Sequence, residues 1–482
     1  MYKLSIIILF LLSQTYLYSQ ETSKSWSLDD CIKYAIEHRP EALQAKTNAT
    51  KEKLDLDQAK ANRLPEISSS AYQSYRWGRS IDQTTNLFTE NQISNNGINV
   101  NASLELFGGF KRSRQIEASN LSWQLSRLDY DIVQVDLALK ITLHYLNTLH
   151  KQELLKENKL QLQSLNEKLT HVEQMIEMGS RSKTDKLEIE SQIASLNVQI
   201  VQNENGQRLA IQELKQMMTL PHNEIIELNP PEIENINIEN FPVEHYYDLA
   251  LKLRPEIKKA DTQILLAKQQ LRLARSGIYP TIFLNSSIST NYSSASDIDG
   301  RLVPNGKTVE VDPYPIGTLQ NSPDQMVYSL PGELAPSYDE VNGYSIGAQW
   351  KDNLSRDINI SMQIPIFSKL KNHIEIQKAK VNIQIQQYDQ NKATSQLWNN
   401  VEKAYLEAIN AKKIYMATQN EIEIKEKLLN AVNEKYMLGI TPFIELRVSQ
   451  DELIIAQSKL VNSKYDFYFK TLILELYTAD KY

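Results

Sequence analysis

Hydrophobic residues recur every seven positions in two otherwise polar stretches of the chain. Late in the sequence, large apolar residues keep this spacing with small residues between them: Leu446, Leu453, Leu460 and Phe467, separated by Ser449, Ala456 and Ser463. An earlier stretch fills two positions of one heptad frame, interrupted by Asn158: Leu155, Leu162, Leu165, Leu169, Val172 and Ile176. This repeat predicts helices that coil around each other with a left-handed supercoil. A soluble helical bundle has the same periodicity, so the pattern leaves the class of protein open.

Other stretches alternate between apolar and polar residues. In residues 97–106 the apolar positions are Ile98, Val100, Ala102, Leu104 and Leu106, and residues 282–288 and 358–366 alternate in the same way. Such runs suit the strands of a membrane β-barrel, with lipid outside and water within. Aromatic residues near the run ends suit a membrane-interface girdle: Tyr72, Tyr75, Trp77, Tyr292, Tyr344 and Trp350. A soluble sheet with one solvated face gives the same alternation.

Each half of the chain holds two strand-like runs, within 66–107 and within 281–367, which makes four strands per chain. Four strands are too few for a water-filled barrel, since about eight are needed merely to fill an interior with side chains. Other chains must therefore complete the barrel. The turn between the third and fourth strands holds a long segment, about 293–343, which is expected to project from the outer face of the membrane. Residues 344–350 are expected to add a strand there.

The chain contains an internal duplication. The tripeptide Arg-Pro-Glu at 39–41 recurs 215 positions later at 254–256, and Gly179 matches Gly439 at an offset of 260. The second copy therefore carries 45 extra residues within its strand pair. The predicted fold is mainly α with a membrane β-barrel part, built from a duplicated helix-strand-strand-helix-helix unit.

Proline and glycine positions set the predicted boundaries, because proline interrupts helices and glycine ends them. The first repeat spans 20–243, with a helix at 40–64, strands within 66–107, helices at 109–178 and 182–219, and a waist segment at 220–243. The second spans 244–482, with a helix at 255–279, strands within 281–367, and helices at 370–438 and 442–478. The helix at 109–178 would be about 105 Å long. The two shorter helices of each copy are expected to stack end to end beside the long one.

The N-terminus and the composition narrow the function. Residues 1–19 are predicted to be a secretory signal peptide cleaved after Ser19, because Lys3 precedes an apolar run too short to span a bilayer. The mean hydropathy of −0.43 excludes a bundle of transmembrane helices and leaves a barrel. A net charge of −7 without a basic cluster argues against a nucleic-acid partner.

The sequence lacks the residue sets and motifs that enzymes commonly use. The single cysteine, Cys31, rules out an intrachain disulfide and a multi-cysteine metal site. The seven histidines include no pair at zinc-ligand spacing, and no glycine-rich phosphate loop is present. We therefore expect no catalytic residues, no metal and no cofactor.

The order of these features resembles the TolC-type outer-membrane efflux proteins. The resemblance covers essentially the whole mature chain and rests on the two Arg-Pro-Glu tripeptides, Pro65 and Pro280 after the first helix of each copy, and the glycines at 179 and 439. It implies a homotrimer in which three chains of four strands form a twelve-stranded outer-membrane barrel, continuous with a periplasmic coiled-coil tunnel. It also implies docking to a periplasmic adaptor (membrane fusion protein) fed by an inner-membrane transporter of RND or ABC type, in efflux or type I secretion.

The resemblance also assigns residues to the periplasmic end. Asp185 and Glu445 match acidic residues that line a constricted pore entrance, Tyr436 matches a residue that helps to hold the entrance closed, and Glu188 is placed with them. The helix tips that dock the adaptor are Gly179, Ser180, Arg181, Gly439, Ile440 and Thr441. The family arginine two positions after the second glycine is replaced by Thr441, whereas Arg181 occupies the equivalent place in the first copy.

A ring of carboxylates from three chains would favour cations, because like charges raise one another's pKa and attract counterions. Acidic residues in a first helical turn also suit the helix dipole without any pore, and glycines at these turns also serve as helix caps.

Two other functions compete with a passive exit duct. A periplasmic helical adaptor or scaffold would use the same helical hairpins without membrane strands. A surface receptor would use the long outer segment to bind a ligand without conducting ions.

Overall fold

The computed structural model describes residues 24–81, 88–89, 92–230, 241–296, 301–319, 322–332, 334–341 and 343–478. The predicted signal peptide lies outside these residues, as do parts of the predicted waist segment and of the long outer segment. Within the described ranges, no helix is both long enough and apolar enough to cross a membrane.

Helix lengths repeat between the two halves of the chain. In chain order the helices are α1 Leu28–His38, α2 Pro40–Ala61, α3 Lys111–Glu177, α4 Lys183–Met218, α5 Val243–Leu253, α6 Pro255–Ser276, α7 Ile346–Asp352, α8 Lys371–Met437 and α9 Phe443–Thr478. Helices α1 and α5 have 11 residues each, α2 and α6 have 22, α3 and α8 have 67, and α4 and α9 have 36. Helices α1, α5 and α7 lie outside the predicted helices. The other six begin and end within three residues of the predicted bounds.

The strands form small sheets and one four-stranded sheet. In chain order they are β1 Lys24–Trp26, β2 Glu66–Arg76, β3 Ser80–Ile81, β4 Phe88–Thr89, β5 Ile93–Gly108, β6 Ile226–Leu228, β7 Thr281–Ser293, β8 Arg301–Glu310, β9 Pro315–Leu319, β10 Ser322–Tyr328, β11 Leu334–Val341 and β12 Ser355–Gln363. The four-stranded sheet is antiparallel in the order β12-β7-β5-β2. Three of its strands, β5, β7 and β12, overlap the runs whose alternation predicts strands, and β2 lies within the predicted strand region 66–107.

The chain divides into two compact units, each of which draws on both halves of the sequence. The helical unit comprises the described residues within 1–56, 117–271 and 377–482. The strand unit comprises those within 57–116 and 272–376.

Within the helical unit, the predicted heptad positions are largely buried between antiparallel helices. Leu155 and Leu165 of α3 pack against Leu196 and Ile200 of α4. In the other hairpin Phe467 of α9 packs on small alanines of α8, namely Ala404, Ala408 and Ala411. Small residues opposite large ones let the two helices approach closely, so the periodicity identifies the interhelical seams.

The duplicated Arg-Pro-Glu tripeptide joins two helices in each half, with the proline at the start of the second helix, where its fixed φ is favourable. The Arg254 side chain is 6% exposed and donates to the Leu476 carbonyl at the end of α9 (3.1 Å) and to the Glu256 carboxylate (2.7 and 3.1 Å). Arg39 likewise donates to the Gln216 carbonyl at the end of α4 (3.1 Å). Each arginine therefore donates to a carbonyl in the last turn of a helix, where amide donors from the helix itself run out and a cation suits the helix dipole.

The core nearest the N-terminus is organised by Tyr145 of α3, which is fully buried. Its hydroxyl lies 3.1 Å from the Trp26 carbonyl oxygen and 2.5 Å from that of Asn229, so it contacts the chain at both β1 and the segment after β6. These two strands pair in parallel. Cys31 lies in the same core, and burial raises the pKa of its thiol to about 12. The thiol is therefore neutral and unreactive at physiological pH.

The segment at 344–350 is a helix rather than the expected strand. Helix α7 begins after Ser345, whose hydroxyl accepts a hydrogen bond from the Ala348 amide (3.4 Å). Gln349 points inward and is fully buried. The prediction of a strand here is wrong, because the Ser345 N-cap and the buried hydrogen bonds of Gln349 favour a helix.

Candidate functional site

Helices α3 and α4 form the first helical hairpin and helices α8 and α9 form the second. The turns that connect the helices of each hairpin have the same construction. Gly179 has φ +76° and Gly439 has φ +72°, in the left-handed region that glycine adopts without strain. The Gly179 amide donates to the Ile176 carbonyl, and the next amide reaches the Met175 carbonyl, both at 2.9 Å. The second turn repeats this pair of bonds from Gly439 and the residue after it, at 3.0 and 2.9 Å. Both turns are therefore Schellman caps.

The two candidate pore carboxylates lie in the first turns of the helices that follow. The Ser182 hydroxyl caps α4 by accepting from the Asp185 amide (3.3 Å) and lies 2.9 Å from an Asp185 carboxylate oxygen. In the second hairpin, the Thr441 hydroxyl hydrogen-bonds the Glu445 carboxylate. Asp185 is half-buried and Glu445 is exposed. Each carboxylate therefore takes part in local capping and also reaches solvent.

Arg181 connects the two hairpins. Its guanidinium carbon lies 3.8 Å from the centre of the Tyr436 ring on α8, and one guanidinium nitrogen lies 3.5 Å from the Tyr436 carbonyl oxygen. A planar guanidinium over an aromatic face is a cation–π contact. Arg181 of the first hairpin therefore binds Tyr436 of the second hairpin.

Tyr436 is held in an apolar setting. It is 6% exposed, packs with Val432 and Leu446, and its ring lies 5.6 Å from that of Phe443. Burial raises the pKa of the Tyr436 hydroxyl, and the neighbouring Arg181 cation opposes that shift. Asp185 and Glu188 act in the same direction as burial. The structure therefore brings Asp185, Glu188 and Arg181 of the first hairpin close to Tyr436 of the second.

Next to this contact is a polar cavity of about 700 Å³ between the hairpins of the helical unit. Glu188 and Gln192 of α4 line it, and α9 contributes Arg447 and Asp451. One buried side-chain atom in each of Glu188, Gln192 and Arg447 has no hydrogen-bond partner within the described part of the chain. Such groups need water or the polar groups of another molecule.

Sequence patterns alone miss Gln192, Arg447 and Asp451 as site residues. One sequence feature does point to the cavity. Glu188 and Gln192 are polar residues one helical turn apart, and they border Ile189, which is buried in the seam between the helices. Among the described residues, no group of three or more histidine, cysteine, aspartate or glutamate side chains could hold a metal ion.

A family model and one curated protein match this chain. Residues 31–219 and 246–474 match the family described as outer membrane efflux protein. Nodulation protein T of Rhizobium leguminosarum bv. viciae is 22% identical over 267 residues, which are 55% of this chain and 54% of that protein. The match therefore spans about half the length of that relative.

Solved structures share the fold over nearly the whole chain. The outer membrane protein VceC of Vibrio cholerae has a TM-score of 0.69 at 14% identity, covering 94% of this chain and 97% of that one. The open state of the MtrE outer membrane channel of Neisseria gonorrhoeae has a TM-score of 0.68 at 17% identity, covering 94% and 89%.

Proposed function

This chain belongs to the outer membrane efflux protein family, and from that premise we propose that it is the outer-membrane exit duct of a tripartite efflux or type I secretion system. Drugs, small molecules or proteins would leave the cell through it passively. In this proposal the chain is exported after removal of residues 1–19, the strand unit lies in the outer membrane and the helical unit extends into the periplasm. The two sequence repeats supply equivalent parts of each.

The observation that carries the proposal is a sheet whose two edge strands pair with no further strand within the described residues. Every residue of the edge strands β2 and β12 is exposed, including the apolar Ile358, Ile360 and Met362. The sheet order makes β2 and β12 run in opposite directions. Unpaired strand edges need partners, and β12 of one copy can pair with β2 of the next in an antiparallel ladder. Three copies would then close a twelve-stranded barrel with the apolar side chains facing lipid.

Exposed apolar stripes on the helices support the same homotrimer. On α4 the residues Leu187, Val198 and Val201 are more than half exposed. On α8 the exposed residues Val381, Ile385 and Tyr388 follow each other at intervals of four and three, as coiled-coil positions do. In the proposed trimer these stripes pack between neighbouring copies and so form the wall of a tunnel.

The tips of the hairpins would form the periplasmic entrance and the docking surface. Asp185, Glu188 and Glu445 from three copies would make an acidic constriction, with Tyr436 and Arg181 holding the two hairpins of each copy together. The proposed adaptor contact consists of Gly179, Ser180, Arg181, Gly439, Ile440 and Thr441. Ile440 is 69% exposed, and it offers an apolar contact to a membrane fusion protein that an RND or ABC transporter would feed.

Planar-bilayer recording of the purified protein tests the duct. We expect SDS-resistant trimers that change migration on heating, and ion-conducting channels. Asp185→Asn combined with Glu445→Gln should weaken cation selectivity and divalent block, whereas Glu423→Gln, at an exposed glutamate paired with Lys427 in the middle of a hairpin, should not. Recovery of the mature protein solely in the soluble periplasm would support the adaptor or scaffold alternative and refute the duct. Ligand binding without conductance would support a receptor.

A further inference from the structure

The segment between β7 and β12 folds into two β-hairpins. Strands β8 and β11 pair from Arg301 with Val341 to Glu310 with Leu334, and β9 and β10 form a second hairpin between them along the chain. Backbone and side-chain bonds between Tyr314 and Ser329, at 2.8 and 3.2 Å, close the base of the second hairpin. We call residues 301–341 the acidic hairpins.

The chain that returns from the acidic hairpins is anchored to the end of the sheet. The fully buried Gln349 of α7 accepts from the Ser293 amide (3.0 Å) and donates to the carbonyls of Ser293 (3.1 Å) and Tyr344 (2.8 Å). Trp350 donates from its indole nitrogen to the Asn96 side chain (3.0 Å). These bonds fix α7 to the ends of β7 and β5. The segment that follows the acidic hairpins therefore has a defined place on the sheet.

The surface of the acidic hairpins has the features of a binding surface. Among the side chains that the structure describes here, five are acidic and one is basic: Glu310, Asp312, Asp324, Asp339 and Glu340 against Lys307. Large apolar side chains are also exposed, among them Leu330 at 81% and Ile316 at 61%. Exposed apolar groups rimmed by charge mark contact sites for another molecule.

Strand addition is an unsuitable mode of contact here. Each of the four strands contains one proline, at Pro304, Pro315, Pro323 and Pro336. Proline has no backbone N–H, so it protects strand edges from pairing with another strand. A contact through side chains therefore suits this surface better than strand addition.

Exposed aromatic and cationic side chains lie at the opposite edge of the same sheet. After β2, Trp77 is 70% exposed and Phe88 is 66% exposed, and the Arg79 guanidinium lies 5.0 Å from the Phe88 ring centre. Arg76 ends β2 and adds a second exposed cation. We call these four residues the basic aromatic tip. Asp82 and Glu90 of the same connection lie outside the described residues.

The sheet register places both surfaces at the same end. Arg76 pairs with Ile93 at the end of β2, and Ser355 at the start of β12 pairs with Ser289 near the end of β7. In the trimer proposed above, β12 of one copy lies beside β2 of the next. We propose that the acidic hairpins of one copy dock, through side chains, on the basic aromatic tip of the neighbouring copy. This inference rests on the proposed trimer.

Cysteine cross-linking of the full-length protein tests the contact. Trp77→Cys is combined in turn with Ile316→Cys, Tyr328→Cys and Tyr338→Cys, and each protein is treated with a short bismaleimide. The buried Cys31 thiol stays unreacted in the native state. We expect covalent dimers and trimers that survive boiling in at least one double variant and are absent from every single variant.

Charge reversal provides the second measurement. Arg76→Glu with Arg79→Glu should lower the temperature at which the SDS-resistant trimer dissociates, and adding Glu310→Lys with Asp312→Lys should restore most of that loss. Trimers that form normally but show no cross-link and no charge-reversal effect overturn the docking while leaving the duct intact. A wild-type protein that forms no trimer refutes the proposed function and this contact together.

Discussion

Arg181 gives the sharpest test of the proposed entrance. In the structure its guanidinium carbon lies 3.8 Å from the ring centre of Tyr436, which is 6% exposed. Arg181→Ala removes this contact without leaving a hole in the core, because the arginine is half-buried at the surface of a turn. We expect the two hairpins of one copy to separate more readily and the channel to open more often.

The size of the effect follows from the geometry. A cation–π contact contributes about 0.5–1 kcal/mol at an exposed site and about 2 kcal/mol when desolvated. One partner here is buried and the other is half-exposed, so about 1 kcal/mol is expected. That free energy corresponds to about a fivefold shift between joined and separated hairpins. The 3.5 Å bond to the Tyr436 carbonyl is too long to add much.

Single-channel recording measures the open fraction directly. Arg181→Lys should recover only part of the effect, because an ammonium keeps the charge but loses the planar stacking. Tyr436→Phe is the matched control, since it keeps the ring and removes a hydroxyl oxygen that has no hydrogen-bond partner within the described residues. An open fraction that is unchanged in Arg181→Ala would refute a role of the Arg181–Tyr436 contact in closing the channel. A Tyr436→Phe channel as open as Arg181→Ala would show that the hydroxyl, not the ring, closes it.

Four further outcomes are expected. Arg254→Ala should lower the free energy of unfolding by about 2 kcal/mol, because it removes the arginine donor from the buried Leu476 carbonyl and the cation from the half-buried Glu256 carboxylate. Arg39→Ala, at the more exposed equivalent, should cost less, and circular-dichroism melting that ranks the two in the opposite order would contradict this reasoning. Gly439→Ala should cost about 1–2 kcal/mol through its positive φ alone, since there is open space around the added methyl group; faster hydrogen exchange at the turn amides would report it. Tyr145→Phe should cost about 1–2 kcal/mol by removing the donor to the Asn229 carbonyl, and an unchanged melting temperature would count against that bond. Burial raises the pKa of Tyr468 to about 12. The neutral hydroxyl therefore contributes stability that is complete below about pH 10 and is lost as the pH rises toward 12. Alkaline titration by tyrosinate absorbance, compared with Tyr468→Phe, checks this.

Local rules explain how closely the helices could be predicted. Proline and glycine act on the backbone within one or two residues of themselves, so the ends of α3, α4, α8 and α9 fall within two residues of the predicted bounds. The seven-residue spacing identified the buried seams for the same reason, since neighbours on a helix face are neighbours in sequence. The alternating pattern located three of the four strands of the main sheet, although the pairing order is visible only in the structure.

Contacts between distant residues explain what was missed. Gln349 bonds to Ser293, 56 positions earlier, and this contact stabilises helix α7, where the sequence alone predicts a strand. Arg181 reaches Tyr436 across 255 positions, so the arginine could be located by its position in the repeat but its partner could not.

The sequence by itself determined the duplication, the helix and strand elements, the turns and the acidic residues near them, because each depends on the residue type and its near neighbours. Only the tertiary structure decided which hairpin surfaces meet, where the Arg-Pro-Glu arginines bind, and that both edges of the sheet are unpaired in the part of the chain that the structure describes. Those outcomes depend on the packing of side chains far apart in sequence, and no local spacing encodes the register in which two long helices come together.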